Sequence, residues 1–380
     1  MSKKLSIVLT TTSTLLDQFQ NAISSPSQQN PASNEAKAKD NQDALPLLVA
    51  SSTALKSQVT KLSLLCITPP FTSSAICTVL SALNESVLPS LVTAALLVTP
   101  NEYTKAFHAE IQILSRTTLK ELTSLVGEVK AVADKKEAQG KEEEEEELSE
   151  TEKRVVTVAT GRVWDSCDVL VDIASKGVVG FVIRRVEEWR DLIRDAVDEI
   201  EEWDPDEDGD ELFDDLLGQD GGNDKDSGGE DDNDDDDDND NDEDTAASHA
   251  RKKSTLRILK PVAQIFPAIV TNRLKNAGDT PLSSGGGTRR LESLMVHLQR
   301  VPENIDEVAG ALYEANWEKH TQLTMKVKDE AAKAVNLVAS PWNAADGQTA
   351  EDKFTTWSKT WLKVVNEVSK AIEDDATKSG

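Results

Sequence analysis

Between Glu152 and Trp203 the chain carries two apolar stripes at helical spacing, separated by one short polar break. The first stripe is Val155, Val158, Val163, Cys167, Leu170, Val171 and Ala174. The second is Val182, Val186, Trp189, Ile193, Ala196, Ile200 and Trp203. Steps of three and four put each set along one side of an α-helix, and such a side must be covered by other elements. Ser175-Lys176-Gly177 lies between them, so the spacing predicts two antiparallel helices joined by a short loop. No window alternates with period two, so the expected class is all-α, with helices packed into bundles.

Charge sets the domain plan. From Asp204 to Asp244 there are 23 acidic residues and one base, Lys225. Glu142 to Glu147 form a second acidic run. These two tracts account for the whole formal charge of −28, so the rest of the chain is neutral. A neutral body with anionic segments argues against a nucleic-acid-binding surface. Dense like charge with few apolar groups predicts disorder. The expected plan is an N-terminal helical bundle over 1–203, a disordered acidic linker over 204–250 and a C-terminal helical bundle over 251–377. A loose linker over 24–43 and an acidic loop over 138–150 interrupt the first bundle.

Within that plan, helices are expected at 3–23, 44–66, 72–83 with a continuation to Val98 interrupted near Pro89, and 102–134. Pro69-Pro70 is expected to stop the second, because proline lacks the amide donor and disfavours helix in its predecessor. After the linker, helices are expected over 254–276 with breaks at Pro261 and Pro267, then 288–299, 305–313, 316–338 and 350–374. Ser283 to Gly287 is expected as a loop. In the last helix the expected buried stripe is Phe354, Trp357, Trp361, Val364, Val368 and Ile372. The first helix begins with a short apolar run, yet that run ends at Leu9 and no A-x-A site follows, so it reads as a helix of the fold rather than a signal peptide. No run of about 18 apolar residues is read, and no membrane span is expected.

Chemistry-bearing patterns are few. Cys66, Cys77 and Cys167 show no C-x-x-C spacing and read as reduced, buried thiols. His108, His249, His297 and His320 have no second ligand three or four residues away, which argues against zinc. Asp204, Asp206, Asp208, Asp210 and Asp215, with Gly209, fall at positions of a calcium-binding loop, although Glu211 stands where an apolar residue is usual and Asp215 replaces the bidentate Glu. Gly285-Gly286-Gly287-Thr288 lacks the lysine of a phosphate loop, and no nucleophile stands in a catalytic motif, so neither cofactor nor enzyme activity is expected. Arg251-Lys252-Lys253 is a short basic group of the kind found in import signals. Ser149, followed by Glu150 and Glu152, suits a kinase that reads acidic residues.

The motif T-G-x-V-W-x-x-C-D, at Thr160, Gly161, Val163, Trp164, Cys167 and Asp168, resembles the cyclin-D-binding, or GCIP-like, family of helical regulators. The similarity extends to Leu64–Pro70, to Thr117–Val129, to the Glu201-Glu202-Trp203-Asp204-Pro205 helix end and to Asp306–Tyr313. An acidic spacer stands at the same place in that family. The resemblance implies a non-enzymatic helical protein of nucleus and cytoplasm. Its implied partners are cyclin-like or helix-loop-helix regulators, in cell-cycle and transcription control. The signature residues Gly161, Val163, Trp164, Cys167 and Asp168 are expected to be core. The alternative reading is an acidic-tract chaperone or buffer for basic proteins such as histones.

Overall fold

The structure, a computed structural model, describes residues 3–24, 44–139, 148–206, 238–275, 277–278, 285–342 and 351–378. The readings of 25–43, 140–147 and 207–237 as linker, charged loop and disordered tract lie outside these residues. Every regular element among the described residues is helical, as the absence of period-two patterning requires.

The chain divides into two compact units. The first comprises residues 1–181 with 281–292, and the second 182–280 with 293–380. The division falls between Phe181 and Val182 rather than after Trp203.

In the first unit the helices are α1 (Lys3–Ser24), α2 (Ala44–Ile67), α3 (Ser73–Ala82), α4 (Leu88–Leu97) and α5 (Lys105–Gln139). The beginning of α6 (Glu150–Glu202) also belongs to it. Helix α1 buries Leu5, Leu9, Leu16 and Ile23 against α3 and α5, following its spacing in the sequence. Helix α2 stops at Ile67, two residues before the Pro69-Pro70 pair. Between α3 and α4 the chain continues to Leu97 with an interruption just before Pro89, as expected. The interruption is a π-helical turn over Leu83–Val87, and Pro89 follows it in the first turn of α4. The joined helix Ser73–Leu97 is, by length and composition, apolar enough to cross a membrane, contrary to the sequence reading. Half of its most apolar window is buried inside the structure, against α1, α2 and α5. That packing gives its apolar residues a destination within the bundle.

The second unit contains the later part of α6 with α7 (Asp238–Ala263), α8 (Ile265–Ile269), α9 (Gly285–Tyr313), α10 (Trp317–Leu337) and α11 (Lys353–Lys378). Residues 285–292 of α9 belong to the first unit. Helix α7 starts at Asp238, inside the stretch expected as linker. Acidic residues are favoured in a first helical turn by the helix dipole, so the acid does not stop it. Pro261 lies inside α7, and its freed neighbourhood is used: the Pro261 carbonyl accepts from Gln264 N and from Trp361 Nε1 at 2.8 Å. Pro302 likewise lies inside α9, which runs unbroken where two helices were expected, and Gly285 to Gly287 open that helix.

Two polar clamps order this unit. Arg273 is almost wholly buried and donates to the Val338 carbonyl (2.6 Å), the Ala339 carbonyl (2.8 Å) and both Asp352 oxygens (2.7 and 2.9 Å). Its guanidinium also lies 4.4 Å from the centre of the Phe354 ring. It thereby ties the carbonyl end of α10 to Asp352, which accepts from Thr355 N and begins α11. The second clamp closes the end of α6. Lys252 Nζ donates to the Glu201 carbonyl (2.9 Å) and to the Trp203 carbonyl, Lys260 pairs with Glu201, and the Trp203 ring packs 5.0 Å from Tyr313. Cations at a helix C-terminus satisfy its orphan carbonyls and its dipole together.

Candidate protein-binding surface

Helix α6 is set at its start by a reciprocal cap. The Ser149 N–H donates to Glu152 Oε2 (2.9 Å), the Ser149 hydroxyl donates to the same oxygen (2.7 Å), and Glu152 N–H reaches Ser149 Oγ (3.3 Å). Lys135 of α5 pairs with Glu152 at 2.6 Å, and together these donors hold the carboxyl down at about 2. The predicted break at Ser175-Lys176-Gly177 takes a different form. Only Gly177 leaves helical geometry, at φ 65°, ψ −170°, and the helix continues on both sides. A reversal into an antiparallel hairpin needs a loop of two or more residues. The structure has a one-residue kink instead. The kink also draws the next turn inward: a Cβ on Gly180 would lie 2.5 Å from Lys176 Cβ.

Between cap and kink, α6 presents two unlike sides. Val156, Val163, Cys167, Leu170 and Ala174 are buried. Val155 and Val158, expected on that side, are 42% and 47% exposed, because Val156, Ala159 and Thr160 take the inward positions. Val169 is exposed as well. Val155, Val158, Arg162, Asp165 and Val169 are spaced three, four, three and four, and all five are exposed. That is the spacing of a coiled-coil seam, with apolar positions at its ends and a polar pair at its centre. Valine is a poor helix former compared with alanine or leucine. On a solvent-facing stripe it gains nothing from the fold itself, whereas against a partner helix it packs.

The signature residues divide between interior and rim. Val163 and Cys167 are fully buried, and Gly161 is partly so. Burial pushes the thiols of Cys167 and Cys66 up to about 12, which leaves both unreactive. Trp164 and Asp168 are not core. Each projects from the edge of the buried side, where Lys56 of α2 pairs with Asp168 at 2.7 Å and lies 5.9 Å from the Trp164 ring. At 3.6 residues per turn Asp168 lies about 100° and Trp164 about 60° round the helix from Cys167, which the one-dimensional motif does not display. The later tryptophans differ less from expectation: Trp361 is buried and Trp357 half-buried.

Of the calcium-loop residues, Asp204 and Asp206 are brought together, with their carboxylates and a His249 nitrogen within 4.8 Å of one another. Asp208, Asp210 and Asp215 lie outside the described residues. All three grouped residues are exposed, and His249 Nε2 contacts Asp206 directly at 3.0 Å, so an ordinary ion pair accounts for the group. The other histidines have separate partners: His108 the Val98 carbonyl, His297 the carboxyl of Glu330 and His320 the hydroxyl of Thr255. A cavity of about 60 Å³, lined by Val186, Arg190, Phe266, Val270 and Lys275 among others, is far below the size of a small-molecule site.

Residues 47–206 match the family described as Grap2 and cyclin-D-interacting, N-terminal. Over this stretch the chain is GCIP-like. No curated protein matches the chain. The match begins within α2 and ends just past the clamped Trp203, so it takes in the capped start of α6, its valine stripe and the Gly177 kink. In this GCIP-like part, the sequence reasoning missed the stripe because it placed Val155 and Val158 inside. The signal that finds it is the three-four spacing of Val155, Val158, Arg162, Asp165 and Val169.

Proposed function

We propose that this chain is a non-enzymatic adaptor that binds a helix of a cyclin-related or helix-loop-helix regulator, and that it acts in cell-cycle progression and transcription control in nucleus and cytoplasm. One observation carries the reading. Within the segment similar to a cyclin-D-interacting family, one helix side displays three exposed valines at coiled-coil spacing with Arg162 and Asp165 between them. A partner helix with matching apolar spacing would cover the valines and pair the two charges, which fix register.

The test is capture of purified cyclin D or helix-loop-helix protein on the full chain. Val155→Asp with Val158→Asp is expected to abolish capture while leaving the helical circular-dichroism signal unchanged. Removing residues 207–237 is expected to leave capture intact. Unchanged binding by the double variant would sink the reading. The concentration of charge between Asp204 and Asp244 favours a second reading, a buffer for basic proteins such as histones. It requires the opposite pattern: capture of basic proteins that disappears without 207–237 and ignores the valines.

A further inference from the structure

We infer that Ser149 is a phosphorylation site for an acid-directed serine/threonine kinase. The inference concerns this side chain alone and stands whatever partner the valine stripe holds. Three observations carry it. In sequence, Ser149 has glutamates at the first and third following positions, Glu150 and Glu152, and six glutamates just before it, Glu142 to Glu147. A kinase with a basic substrate groove selects that pattern by charge. Thr151, two residues on, has Arg154 at its third position and is disfavoured by the same rule. In structure, Ser149, Glu150 and Thr151 are all exposed, Ser149 capping the helix that Glu150 and Thr151 begin, and helix ends fray most readily. In chemistry, among the described residues the Ser149 hydroxyl is bound within its own cap, to Glu152, and Lys135 stands on that carboxylate at 2.6 Å.

In the transfer, the bond between the terminal phosphorus of ATP and its bridging oxygen breaks, and a bond from Ser149 Oγ to that phosphorus forms. The hydroxyl proton passes to a base of the kinase, and ADP leaves with the bridging oxygen. The product has no hydroxyl proton to give Glu152, and its dianion repels that carboxylate. Lys135 is the cation placed to exchange Glu152 for the phosphate. The modification therefore replaces a serine–glutamate cap by a phosphate–lysine link between α6 and α5.

The experiment incubates the full chain with a purified acid-directed kinase and magnesium ATP, and maps phosphate by mass spectrometry. Ser227, with Glu230 at its third position and Asp231 beyond, reports that the kinase is active. The expected result is phosphate on Ser149, none moving to Thr151 in Ser149→Ala. Glu152→Gln preserves the capping geometry, since glutamine serves in that role, but removes the recognition charge. It is expected to slow incorporation at Ser149 about tenfold, a loss of one favourable charge contact in the transition state. Phosphate on Ser227 with none on Ser149, or an unchanged rate in Glu152→Gln, overturns the inference.

Discussion

Replacing Gly177 with alanine tests the kink in α6 by the sign of the response. At φ 65°, ψ −170° the backbone occupies a region open almost solely to glycine. The nearest heavy atom to an added Cβ is Leu45 Cδ1 at 3.9 Å, an ordinary contact, so the whole penalty is conformational. Forcing alanine into such geometry costs about 1–3 kcal/mol, while the stiffer unfolded chain offsets up to about 1 kcal/mol of that. The stiffening acts in the stabilising direction, so the net loss is about 1–2 kcal/mol. Gly161 provides the control. It lies in the regular part of the same helix with nothing within 4 Å of its Cβ position, so Gly161→Ala is expected to stabilise by roughly 1 kcal/mol. In thermal unfolding followed by circular dichroism, a domain of this size moves about 2–4 °C per kcal/mol. Gly161→Ala should therefore raise the midpoint and Gly177→Ala lower it. If α6 were straight, both glycines would be ordinary helical residues and both changes would raise it. A rise in Gly177→Ala refutes the kink.

Three further outcomes are expected. His320 is fully buried and held down to about 4 by burial and by Arg251, so the unfolded chain takes up its proton first as pH falls. Stability attached to the neutral ring is complete above pH 6.5 and is lost between there and pH 4, by about 2 kcal/mol from pH 7 to pH 5, and urea unfolding of His320→Leu should lack this component. Arg273→Ala strands two carbonyls and the Asp352 carboxylate and should cost about 3–5 kcal/mol, read by limited proteolysis of the second unit, with lysine restoring little because it cannot span both Asp352 oxygens. Cys66 and Cys167 should resist iodoacetamide in the native chain at pH 8 and react in denaturant, whereas fast native labelling of either would contradict their burial.

Helix existence was legible because apolar spacing reports it directly, but the inward position within a stripe was not. In α11 the spacing suggests Val364, yet the buried residue is Val365. The seam there runs Phe354, Ser358, Trp361, Val365, Ser369 and Ile372, and hydropathy hides it because two members are serines. Ser358 and Ser369 donate to carbonyls of their own helix, which removes the penalty of burying them. The same effect hid Thr160 and so exposed Val155 and Val158. Prolines misled in the other direction. Pro261 looked like a break, but the helix Asp238–Ala263 continues past it. Arg273 left no sequence signal at all, since Val338, Ala339 and Asp352, which it clamps, lie 65 to 79 residues away.

Both flanks of the acidic tract, the clamped end of α6 and the start of α7, belong to the second unit. The end of α6 and the start of α7 therefore lie within one compact unit, although the acidic run stands between them in the sequence. Lys252 and Lys260 of α7 hold the end of α6 beside it, through the Glu201 and Trp203 carbonyls and the Glu201 carboxylate.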